Sequence, residues 1–133
     1  MRVGQGGTHR RSGVRARRDR DALVAAVIGD PGAGLPAPSD VDFAAFWERF
    51  DATAPAHLRL GFATAVTMIS SIAPRLLGHR GGLARLDAAT ASRVVERAAR
   101  VPGLDALTEV AKVVACFAYF SDPAVDALVR DLR

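Results

Sequence analysis

Side chains able to do chemistry are few and scattered along the chain. Its three histidines are His9, His57 and His79. None has a second His or Cys at ligand spacing, so no metal site is expected. Cys116 is the only cysteine. It cannot form an internal disulfide, and within an apolar run it reads as a small core residue. Ser70 and Ser71 have no histidine placed to activate them. In mid-helix such a serine is expected to bond back to its own backbone. The carboxylate pairs Asp19/Asp21 and Asp40/Asp42 sit at helix starts or in loops, where acids cap and meet the positive end of the helix dipole. General acid–base work needs a perturbed carboxyl in a pocket, and no such group is expected here. The glycine clusters at 4–7 and 29–34 lack the preceding strand of a nucleotide-binding loop, and the second lacks a phosphate-loop lysine. No catalytic, cofactor-binding or metal residues are therefore assigned, and the chain is expected not to be an enzyme.

Composition fits that reading. The 133 residues suit one domain, and a hydrophobic share of 50% is ample for its core. The net charge of +4 is unevenly placed. The first twenty residues hold seven arginines and one acid, a local +6, so the rest sums to −2. The dominance of arginine over lysine reads as a GC-rich coding bias. Residues 1–18 form an Arg/Gly-rich segment with little to bury, expected as a disordered basic arm ahead of a helical domain over 19–133. Arg10-Arg11 and Arg17-Arg18 are twin arginines of the kind that open one export signal. The apolar stretch after them, Leu23 to Ile28, is shorter than such a signal needs. A cytoplasmic location is expected, with twin-arginine export alongside a partner as the alternative.

The elements read as helices throughout. Residues 20–28 suit a short helix stopped by Gly29 and Pro31. Ser39 or Asp40 offers the next N-cap. Phe43, Phe46, Trp47 and Phe50 then recur at helical spacing as one apolar stripe. Pro55 opens a helix that is apolar around much of its circumference, and Pro74 should kink or end it. It is expected to be a buried core helix and not a membrane span. Asp87 is the expected cap of the next helix, with Ala91, Val94, Val95 and Ala98 inward. Residues 104–120 form a long helix whose polar stripe is expected to run through Asp105, Thr108, Glu109, Lys112, Cys116 and Tyr119. Asp122 caps the last helix and Pro123 takes its first position, with Val125, Leu128, Val129 and Leu132 as its stripe. Alternating strand patterns are missing. The expected fold is all-α: a single compact bundle of about six helices.

The run Ala111-Lys112-Val113-Val114-Ala115-Cys116-Phe117-Ala118-Tyr119-Phe120-Ser121-Asp122-Pro123 resembles the C-terminal segment of the small subunit of gluconate 2-dehydrogenase-like complexes. In that family an aromatic pair, here Tyr119-Phe120, precedes Ser-Asp-Pro in a helical domain. The aromatic helix over 43–50 and the helix opened by Leu86-Asp87 look similar too. The resemblance implies a non-catalytic accessory subunit in a hetero-oligomer with a large flavin-dependent oxidoreductase of the glucose–methanol–choline type. It implies that FAD resides in that partner and that this chain holds no cofactor. Trp47, Tyr119, Phe120, Asp122 and Pro123 are the candidate interface residues, since aromatics anchor interfaces. The alternative is a helical regulatory or nucleic-acid-binding module using the basic arm, with binding that falls steeply with salt.

Overall fold

A computed structural model describes residues 5–32 and 34–132, with side-chain surroundings from Gly13 onward. Residues 1–4 of the expected arm, and the side chains of His9, Arg10 and Arg11, lie outside the described residues. Every regular element described is helical. The α-helices are α1 (Gln5–Ile28), α2 (Ala44–Thr53), α3 (Ala56–Thr67), α4 (Ala73–Leu76), α5 (Ala88–Ala98), α6 (Leu104–Phe120) and α7 (Pro123–Asp131). A π turn, Met68–Ile72, joins α3 to α4 into one rod, and short 3-10 turns occupy Pro38–Asp40 and Leu83–Arg85. The all-α, single-bundle expectation is met with six helical rods. α6 is the central one, packed against both α1 and α3, while α5 leans on α1.

Local chemistry explains most helix ends. Gly29, at φ 63°, takes the left-handed conformation that closes α1, and its N–H donates to the Ala25 carbonyl. The Asp87 side chain accepts from Thr90 N–H at the start of α5, and Asp122 accepts from Ala124 and Val125 N–H at the start of α7 with Pro123 in the first turn. Two ends depart from expectation. Ser39 and Asp40 belong to a 3-10 turn, and the carboxylate at the start of α2 is Asp42, which accepts from Ala44 N–H at 2.9 Å. The helix expected over 20–28 extends back to Gln5, because arginine is a good helix former and no proline interrupts the run. Gly13 to Arg18 are nonetheless all exposed. No side chain from Gly13 to Arg18 is buried, whereas Leu23, Val24 and Ala26 are core.

The core is organised around aromatics. Trp47 stacks on Phe62 with centroids 5.4 Å apart and planes at 19°, and Phe50 meets Phe62 edge-on at 5.5 Å. These contacts fasten α2 to α3. The Trp47 indole Nε1–H donates to Asp21 Oδ1 at 2.7 Å, which fastens α2 to α1. Ser92 Oγ donates to the Ala26 carbonyl at 3.0 Å, tying α5 to α1. The rod from Ala56 to Leu76 is 21 residues long and, by length and composition alone, apolar enough to cross a membrane. Its Phe62, Ala65, Ile69 and Ala73 lie in this core.

The π turn has a local cause. Proline at position 74 has no N–H to give the Ser70 carbonyl four residues back, and its ring crowds that carbonyl. The rod absorbs the conflict by widening: Ala73 N–H reaches past Ile69 to the Met68 carbonyl, an i→i−5 bond. Pro74 thus neither ends nor simply kinks the helix.

Candidate functional site

Two of the five candidate interface residues are core residues. Trp47 is 3% exposed and Tyr119 is fully buried. Neither can reach a partner in this fold. The Tyr119 hydroxyl donates to the Pro36 carbonyl at 2.6 Å, pinning the end of α6 to the Gly/Pro-rich loop 83 residues away in sequence. Burial, with the Asp122 carboxylate nearby, pushes the phenol above its ordinary range. Tyr119→Phe should cost about 1–2 kcal/mol by leaving the carbonyl without its donor, measured as a lower urea midpoint. The phenol's pKa is higher folded than unfolded. Its contribution is therefore complete below the ordinary tyrosine range and fades as pH rises through the raised value. The gap between the two proteins should narrow in strong alkali. Asp122 is half-buried and occupied with capping, and Pro123 is exposed beside it. Phe120 is 47% exposed, with its ring edge-on to Tyr119 at 5.1 Å.

Around Phe120 the surface turns apolar. Val113, Phe117 and Phe120 recur at i, i+4 and i+7 on α6, so they form one ridge. All three are exposed, Phe117 at 64%. With Lys112, Cys116 and Ser121 they line a shallow open groove of about 590 Å³. A soluble helix normally turns polar side chains outward. Of the expected outer stripe, Asp105, Glu109, Lys112 and Cys116 are exposed, which settles the two readings of Cys116 in favour of the stripe, whereas Thr108 and Tyr119 are buried. α1 and α3 both pack against α6. Thr108 satisfies its own buried hydroxyl by donating to the Leu104 carbonyl at 2.8 Å.

Val113 and Phe117 were not among the residues expected to touch a partner. The available signal was Glu109, four residues before Val113 on the face that continues to Phe117 and Phe120, a charge that a wholly buried helix face would not carry. Among the described residues, no three His, Cys, Asp or Glu side chains converge as a metal site would need.

Ser70 breaks the rule its neighbours follow. Thr64 and Thr67 on the same rod donate to carbonyls four residues back, at 2.9 and 3.0 Å. Ser70, in the π turn, is 2% exposed, and its hydroxyl has no hydrogen-bond partner among the described residues. A buried hydroxyl left so costs about 1–3 kcal/mol.

No protein-family model, curated protein or solved structure matches this chain.

Proposed function

We propose that this chain is a non-catalytic accessory subunit that docks on, and stabilises, a larger FAD-dependent oxidoreductase subunit of the glucose–methanol–choline type. The observation that carries the reading is the exposed ridge of Val113, Phe117 and Phe120. It lies within the same run, 111–123, on which the chain resembles small subunits of gluconate 2-dehydrogenase-like complexes. Two exposed phenylalanines and a valine in register give a partner an apolar anchor, and such anchors carry most of the energy of an interface. Lys112, 48% exposed beside them and paired at 3.3 Å with Glu109, supplies a polar edge. In this reading the flavin and its chemistry stay with the large subunit.

Co-expression with a large glucose–methanol–choline flavoprotein tests the proposal. The two chains should co-elute in size-exclusion chromatography as a complex with flavin absorbance at fixed stoichiometry, and this chain alone should be colourless. If it elutes as a well-behaved monomer and leaves the flavoprotein's yield and elution unchanged, the proposal fails.

A further inference from the structure

We propose that the pocket between the exposed stretch of α1, the π turn and the loop over 80–85 binds the di- or triphosphate group of a small molecule. Five arginines line it: Arg15 and Arg18 from α1, Arg75 from α4, and Arg80 and Arg85 from the loop. Among the described residues Asp19 is the one carboxylate in the lining, so the described lining carries a formal +4. Among the described residues none of the five arginines makes an ion pair; the pairs formed belong to Arg20, Lys112 and Arg130. Like charges gathered without counter-ions repel, and a multiply charged anion relieves that repulsion. Guanidinium groups stay charged at any physiological pH and grip phosphate oxygens in pairs.

The floor of the pocket points the same way. Ser70 lines it, and Ser70 carries the buried hydroxyl with no partner. A phosphate oxygen is an acceptor that this hydroxyl lacks within the fold. The wide turn holding Ser70 is a distortion often found where ligands bind. Gly82 brings the loop down onto that turn, since a Cβ there would sit 3.0 Å from the Ser70 carbonyl oxygen. The cavity measures about 620 Å³, within the range of small-molecule sites and larger than a single orthophosphate requires. A charge of +4 and that size together favour two or three linked phosphates. The inference is independent of the docking ridge, which lies on α6.

Calorimetric titration of the full chain at low salt with pyrophosphate, tripolyphosphate, ADP, adenosine and sulfate tests it. Tripolyphosphate should bind most tightly, with pyrophosphate and ADP following and adenosine showing no binding. The double substitution Arg80→Ala/Arg85→Ala should weaken tripolyphosphate at least tenfold. Ser70→Ala should weaken it several-fold while leaving the melting temperature of the unliganded protein unchanged or higher, because it removes an unsatisfied group. Arg93→Ala/Arg97→Ala, exposed on α5 and not in the lining of this pocket, should leave affinity unchanged. The proposal is overturned if the folded protein binds no polyphosphate, if sulfate binds as tightly as tripolyphosphate, or if the Arg93/Arg97 pair matters as much as Arg80 and Arg85. The last result would mark general attraction to any arginine-rich surface. Normal affinity in Ser70→Ala would remove the hydroxyl from the site and overturn the assignment of the floor.

Discussion

Trp47→Ala should destabilise the protein by about 3–5 kcal/mol, a large part of the 5–15 kcal/mol that holds an ordinary domain together. Three separate links are lost. The indole stacks on Phe62 and meets Phe46 and Phe50 edge-on at 5.0 and 6.0 Å, so its removal opens a cavity where α2 joins α3. Its Nε1–H no longer reaches Asp21. The Arg20 guanidinium, 5.3 Å from the ring centroid and paired with Asp51 at 3.0 Å, loses the surface it rests on. At roughly 3–5 °C per kcal/mol for this size, the melting temperature should fall by about 9–25 °C in calorimetry. A change of only a few degrees would mean that α2 packs far more loosely than the geometry indicates.

Asp21 allows the charge to be separated from the packing. Burial raises its carboxyl above the ordinary carboxylate range, against the opposing Trp47 hydrogen bond and the nearby Arg17 charge. A raised carboxyl pKa means that the folded protein holds the proton to higher pH than the unfolded chain. That stabilising contribution is complete below the unfolded pKa and is lost as pH rises through the folded value. Asp21→Asn keeps an acceptor for the indole and removes the buried charge. It should therefore be at least as stable as the parent at neutral pH, and the difference should close in acid.

These links show what periodicity in a single chain can and cannot resolve. The stripe of Phe43, Trp47 and Phe50, and the caps at Gly29, Asp87 and Asp122, were legible because each depends on residues within one or two turns. The width of the buried face of α6 was not. Its residues are apolar on most sides, so spacing places the charged stripe of Asp105, Glu109 and Lys112 outward but leaves the edges of that stripe open. The packing around α6 decides them, with Tyr119 and Thr108 inside and Cys116 outside. The bond from Tyr119 to Pro36 and that from Trp47 to Asp21 join distant segments and leave no local trace. Pro74 announced a break and the π turn is its local consequence, but the burial of the Ser70 hydroxyl without a partner shows only in the fold, where Gly82 approaches that turn. The arginines of the pocket come from stretches some sixty residues apart, and against an arginine-rich background their convergence is invisible without the fold.

On the proposed accessory-subunit reading, replacing Phe117 and Phe120 together with aspartate should abolish the complex with a glucose–methanol–choline flavoprotein while leaving this chain folded. Both side chains are about half exposed or more, so the substitution removes little core packing. The Phe120 contact with Tyr119 is the exception, and Phe117→Asp alone guards against it. Exposed aromatics that become buried in an interface commonly contribute 2 kcal/mol or more each, and a carboxylate placed there must be desolvated without a partner. The expected loss is at least a hundredfold in affinity for the pair and at least tenfold for Phe117→Asp, read by titration of the purified chains. Circular dichroism and melting temperature should stay close to the parent. The same variants should also make the isolated chain more soluble, since an uncovered apolar ridge is itself a site of association. An unchanged affinity in the double variant would remove α6 from the interface, and with it the observation on which the accessory-subunit reading rests.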